Sequence, residues 1–351
     1  MSAVDADGVQ RNTRDLSADA RNAGRRSGAA LRSRASISEP EDVIIPIRGE
    51  FRLETGGVLP DPHIRVRRFG RPNIPPTLVL GGISSGRRVA GHDGWWSDIV
   101  GVGAAIDLAH HAVLGIDFAP LGDVRVAMCP RTQARLVSLA LDELRIERLQ
   151  AIVGASYGGM IALAFAALAP ERVRALCIVS AAHKPASLAS AWRGVQRRTV
   201  EFALETGRGL DGLALARQLA MATYRSAHEF DARFDGTLGS DGLSDLDRYL
   251  IARGRAYADV MSAKRWLSLS EAIDRCCVSP EAVLVPTTLV ACPTDQLVPL
   301  ADMQELASRL PRLVTLHTLP STYGHDAFLK EHARLGGIIS AFLEGRTHDE
   351  A

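Results

Sequence analysis

A serine hydroxyl is a weak nucleophile at neutral pH. It becomes a useful one when an imidazole within hydrogen-bond reach takes its proton and a carboxylate orients that imidazole. The chain carries candidates for all three roles: Ser156 in Gly154-Ala155-Ser156-Tyr157-Gly158, Asp295 in PTDQLVP and His325 in YGHDAF. The first segment matches G-x-S-x-G, a tight strand-to-helix turn that projects the serine above the C-terminal edge of a sheet, with glycines leaving room for the strained backbone. A glycine-rich turn with an idle serine would read the same, so the flanks decide. A strand-like LQAIVG directly precedes the motif and an apolar, helix-like MIALAFAALA follows it, as the turn requires. Asp295 comes just after TTLVAC and His325 just after LVTLHTLP, so the chain order is Ser, Asp, His. Both partners then sit at C-terminal strand ends, where open α/β sheets bind ligands. His92, His110, His111, His183, His228, His317 and His332 do not follow that late strand.

Acyl chemistry also places charge on a carbonyl oxygen, which this kind of site meets with the amide after the nucleophile and another from an early strand-to-loop turn. The backbones of Tyr157 and Ile83 are the nominees, with Gly81 and Gly82 allowing close approach. Asp326, beside the candidate base, reads either as a cap for the last helix or as a substrate ligand.

The elements that must position these groups alternate. IRVRRF reads as an edge strand, PTLVLGGIS and HAVLGIDFAP as strands buried on both faces, and RTQARLVSLALDELRI as a helix with Thr132 as its possible N-cap. RALCIVSAAH, PTTLVAC and LVTLHTLP supply later strands, LADMQELASRL another helix, and a final helix begins after His325. Repeated βα units imply a mostly parallel sheet with helices on both faces, and with the serine turn and its two partners in that chain order the expected fold is the α/β-hydrolase fold. About a hundred polar, helix-like residues interrupt it, far more than the ~2–6 of an ordinary connection, and should form an inserted lid. The expected organisation is a disordered tail over residues 1–40, a core over 41–182, a helical lid over 183–285, and the rest of the core over 286–351. The tail is rich in Ala, Arg, Ser and Asp and has few large aliphatics; Asp5, Asp7, Asp15 and Asp19 speak against a mitochondrial transit peptide.

Of the 351 residues 46% are hydrophobic, ample for a buried core. Lys plus Arg number 41 against 40 Asp plus Glu, so no net field favours nucleic acid or an anionic membrane, and the expected partner is a small molecule. Five cysteines without a C-x-x-C pair read as reduced core residues rather than zinc ligands. With no signal-like or membrane-spanning apolar run, the expected address is cytoplasmic.

Taken together, LGGISSGRRV, GWWSDIVGVGAAID, VGASYGGMIALAFA, TYRSAHEFDARF, PTDQLVPLADM and YGHDAFLKEH resemble the homoserine O-acyltransferases of the α/β-hydrolase fold, over about Phe51 to Phe342. The resemblance implies ping-pong transfer from acyl-CoA to L-homoserine for methionine biosynthesis, with no bound cofactor or metal, in a homodimer. It implies Ser156 as nucleophile, Asp295 and His325 as its partners, Arg225 as clamp for the homoserine carboxylate and Asp326 as partner of its ammonium. GGIS and VMSAKRWLSLSEAID are more similar to the succinyl-transferring branch, although GRRV places arginine where that branch would have histidine. Arg87, Arg88, Arg255 and Lys264 are candidates to meet the free carboxylate of succinyl-CoA. Alternatives are an acetyl-CoA-dependent or serine-accepting transferase, an esterase or lactonase with the same triad, and a binding protein on an inactive hydrolase fold.

Overall fold

A computed structural model describes residues 38–345. Eight strands form one sheet in the order β1-β2-β6-β3-β7-β8-β9-β10. They are β1 (Ser38–Pro46), β2 (His63–Gly70), β3 (Thr77–Leu80), β6 (Ala112–Ile116), β7 (Ala151–Ala155), β8 (Leu176–Val179), β9 (Thr287–Ala291) and β10 (Leu313–Thr318). The short strands β4 (Val100–Gly101) and β5 (Ile106–Asp107) pair separately. From β6 to β10 all neighbours are parallel, whereas β1 and β2 join one edge antiparallel. This is the mostly parallel sheet of an α/β-hydrolase fold.

The central strands are buried from end to end because both faces are covered. Alternate residues serve opposite cores: Leu78, Leu80, Ile152 and Ile178 pack with α1 (Pro130–Glu143) and α2 (Tyr157–Leu168), while Val79, Val153 and Val179 pack with Trp96, Phe328 and α10 (His332–Glu344). The span 183–285 between β8 and β9 carries α3 (Ser187–Glu205), α4 (Gly209–Tyr224), α5 (Ala227–Arg233), α6 (Asp245–Ala258) and α7 (Ala263–Asp274). After β9 come α8 (Leu300–Arg309) and, past β10, the short α9 (Ala327–Lys330) before α10. Among the described residues no helix is long and apolar enough to cross a membrane.

Four expectations need correction. The tail expected over residues 1–40 lies outside the described residues up to position 37, but its last three residues open β1. That strand covers IRVRRF, which is therefore second in the sheet and not its edge. β1 is anchored at both ends: Val43, Ile45 and Ile47 alternate into the core, and Glu41 and Asp42 lie opposite Arg68 and Arg67, with ion pairs at 3.8 and 3.7 Å. Thr132 is not the cap of α1; Cys129 holds that position and the Thr132 hydroxyl donates to Glu54. All five cysteines are free, but only Cys177, Cys276 and Cys292 are buried, and Cys277 is exposed.

Candidate active site

Ser156 sits between the end of β7 and the start of α2 with φ 53° and ψ −123°, a conformation that a non-glycine residue adopts only when its surroundings enforce it. Here its amide donates to the Val179 carbonyl at 2.9 Å and its carbonyl accepts from Gly159 and Met160. The flanking glycines are steric necessities. A Cβ on Gly154 would lie 2.6 Å from the Gly158 carbonyl oxygen, and one on Gly158 would run into the backbone of Leu80. So tight a turn leaves the Ser156 hydroxyl free of any capping bond and presents it at the sheet edge.

Two later strand ends bring the partners there. Asp295 lies in a turn after β9, closed by its amide on the Cys292 carbonyl, and His325 lies in a 3-10 turn after β10. His325 Nε2 is 2.8 Å from Ser156 Oγ, and His325 Nδ1 is 2.7 Å from Asp295 Oδ2. The other Asp295 oxygen accepts the amides of Leu297 and Val298 at 2.8 and 3.0 Å, which leaves the carboxylate little freedom to turn. With its proton on Nδ1 the imidazole donates to Asp295, and Nε2 can accept from the serine. The arrangement is a relay able to extract the hydroxyl proton as Ser156 attacks a carbonyl carbon.

Burial opposes the imidazolium form of His325, but the charge and hydrogen bond of Asp295, helped by the charge of Asp326, outweigh it and raise the pKa above the ordinary histidine value. Only the neutral ring can accept the serine proton. Acylation of Ser156 by an activated ester or thioester should therefore rise with pH about a midpoint above ~6.5. A pH profile of the single-turnover rate checks this, and a midpoint below that value would contradict it.

Above the relay lies a cavity of about 130 Å³, lined by Gly82, Ile83, Tyr157, Asp326 and residues of α3, α4 and α7. Its size suits a small metabolite, with anything as large as a nucleotide left outside. The loop after β3 is fixed to the elbow by the Gly158 amide, which donates to the Gly81 carbonyl at 2.8 Å. Ile83 and Tyr157, nominated as amide donors, thus meet at the cavity beside Ser156. As first residue of α2, Tyr157 has an amide with no intrahelical acceptor.

Arg225 departs from expectation. It is buried, its Nη1 donates to Glu229 at 2.7 Å and its Nε to Asp326 at 3.2 Å, and it is not among the residues lining the cavity. With two carboxylates already on it, its fit is to brace Asp326 from behind. The lining arginine that sequence reasoning missed is Arg217, whose guanidinium carbon lies 5.3 Å from the Tyr224 ring centre and 4.7 Å from that of Tyr257. Among the described residues it has no ion pair. The signal was present as a stripe: Arg217, Ala220, Thr223 and Tyr224 recur at helical spacing on α4, and all four line the cavity. The four cations expected to meet a donor carboxylate also lie elsewhere. Arg87 is held by Asp42 and Asp117, Arg88 by Asp93 and Lys264 by Asp123, and neither these nor Arg255 line the cavity.

Residues 75–332 match the family model described as alpha/beta hydrolase fold. A homoserine O-succinyltransferase of Xanthomonas campestris pv. campestris is 38% identical over 80% of this chain and 79% of its own length. A homoserine O-acetyltransferase of Geotalea uraniireducens is 29% identical over 87% of this chain and 96% of its own. Among solved structures, esterase E22 superposes with TM-score 0.80 at 18% identity, covering 87% of this chain and 100% of that one. A homoserine O-acetyltransferase from Bacillus anthracis superposes with TM-score 0.76 at 17% identity, covering 87% and 97%. These two likenesses speak to the fold.

Proposed function

Because the chain belongs to the homoserine O-acyltransferases of the α/β-hydrolase fold, we propose that it carries an acyl group from acyl-CoA, through an ester on Ser156, to the side-chain hydroxyl of L-homoserine, with succinyl-CoA as donor. In the first half-reaction Ser156 Oγ attacks the thioester carbonyl while His325 takes its proton. Collapse of the tetrahedral adduct expels CoA, which leaves with that proton, and the amides of Tyr157 and Ile83 face the developing oxyanion. In the second, the homoserine hydroxyl gives its proton to His325 and attacks the ester. Ser156 then leaves and is reprotonated. Every proton in the cycle passes through His325, so the residues named suffice for both steps.

The observation that carries the reading is the company the relay keeps: a cavity-lining arginine without an ion pair, and the buried carboxylate of Asp326, on the same cavity. Arg217 suits the carboxylate of a free amino acid and Asp326 its ammonium, a zwitterion clamp that a simple esterase does not need. Succinyl is preferred over acetyl because the similarity is greater to the succinyl-transferring relative, 38% against 29%.

The full-length enzyme incubated with succinyl-CoA or acetyl-CoA, and with homoserine, serine or water as acceptor, tests the proposal through CoA release and the mass of the ester product. O-succinylhomoserine should dominate. Equal release with water alone would make the protein a hydrolase instead.

The proposal includes a homodimer through the outer face of the inserted helices. Leu188, Val195 and Phe202 repeat every seven residues along α3 and are exposed, beside exposed Leu210 and Leu215 of α4. A monomeric sedimentation coefficient would remove that part.

A further inference from the structure

We propose that Arg193, with Gln196 and Ser270, forms a subsite for the free carboxylate of a dicarboxylic acyl chain, and that this subsite selects a succinyl over an acetyl donor. The inference rests on the acyl-transfer reading and specifies its substrate.

Arg193 and Gln196 are three residues apart on one face of α3, Ser270 faces them from α7, and all three line the cavity above Ser156. The charge there does not balance. Asp274 receives the Nε and Nη2 of Arg193 at 2.8 and 2.6 Å on one oxygen, and Arg197, which donates to Ser270, forms an ion pair with the other at 2.6 Å. Two guanidinium groups thus share a single carboxylate, in a cluster whose side chains are at most 17% exposed. Water there is too sparse to screen the surplus positive charge, so an anion is favoured. Arg193 Nη1 donates to no described residue and is the arm left for it.

Gln196 supplies the second observation. Its residue is only 4% exposed, and its amide makes no hydrogen bond to another described residue and opens on the cavity alone. A carboxylate oxygen would accept from it. Ser270, almost fully buried, offers a hydroxyl from the other side.

The placement is right for the acyl arm. Arg193 lines the same cavity as Ser156 and His325, so the guanidinium faces the space in which the acyl group is held. Arg217 stands elsewhere, against Tyr224 and Tyr257. Lys184, the other cation on the cavity, is half exposed and held by Glu305 at 2.8 Å, which suits the mouth. An acetyl methyl would leave both the surplus charge and the Gln196 amide unsatisfied, whereas a succinyl carboxylate would satisfy both.

The test measures kcat/KM for acylation of full-length enzyme by succinyl-CoA and by acetyl-CoA, from CoA release and adduct mass, in wild type, Arg193→Gln and Gln196→Leu. Loss of one charge-assisted hydrogen bond should lower the succinyl-to-acetyl ratio by roughly 10- to 100-fold in Arg193→Gln and about 10-fold in Gln196→Leu, with succinyl carrying the loss. Asp274 keeps Arg197 and the Ser190 hydroxyl in the first variant, and Gln196 is not needed for that pair. Acetyl-CoA acylation in the same preparation reports whether the fold survives. Equal loss of both donors, or an unchanged ratio, overturns the subsite. A wild type acylated by acetyl-CoA alone overturns it while leaving acyl transfer standing, and a wild type acylated by neither removes both.

Discussion

Replacing Ser156 with alanine is expected to lower acyl transfer by on the order of 10³-fold or more, and to abolish the acyl adduct that wild type forms when donor is supplied without acceptor. The size follows from the geometry. His325, 2.8 Å from the hydroxyl and held from behind by Asp295, has no other proton in the first half-reaction to take, so without Oγ the relay has no substrate. What remains is direct attack by homoserine on bound acyl-CoA, assisted by the amides and by proximity alone. Fold is a minor concern, because the strained turn relaxes or persists equally well with alanine and the enclosing bonds are to the Ser156 backbone. Intact-protein mass after brief exposure to acyl-CoA separates the cases. An adduct of undiminished yield on the alanine variant would take Ser156 out of the nucleophile role.

The serine turn could be read from sequence because its demands are local. A serine held at positive φ between a strand and a helix needs glycines where Leu80 and the first turn of α2 crowd the backbone, and those glycines are visible as letters. Asp295 and His325 were legible for a different reason: parallel strands put all their C-terminal ends on one edge, so residues 139 and 169 positions beyond Ser156 can be placed near it by topology alone. β1 was readable in part, since Val43, Ile45 and Ile47 alternate toward the core, but its first half is acidic and held by Arg67 and Arg68, which hides where the strand begins. The inserted helices were the least legible. Which way an arginine points there depends on how α3, α4 and α7 pack over the sheet, and nothing in TYRS says that Arg225 will be enclosed by Glu229 and Asp326.

That difference between two arginines eight residues apart gives the second large effect. Arg217→Leu should raise the homoserine concentration needed for half-maximal transfer by roughly 10- to 100-fold, the cost of one charge-assisted contact, while acylation by acyl-CoA without acceptor stays close to wild type. Arg217→Lys should recover part of the loss, since the charge returns without the planar fork. Arg225→Leu should behave differently. It would leave Asp326 buried without its cation and Glu229 with only Arg233 at 3.6 Å, so its first consequence is a lower melting temperature, with activity falling in both half-reactions as Asp326 loses its brace. Single-turnover acylation, steady-state homoserine dependence and thermal unfolding, measured on the three variants together, distinguish a residue that holds the acceptor from one that holds the fold. If Arg217→Leu slowed both half-reactions equally, the zwitterion clamp would lose its carboxylate half. If Arg225→Leu instead raised only the homoserine requirement at unchanged stability, the clamp would belong to Arg225 after all, exposed by a movement of α5 that the pairing with Glu229 now prevents.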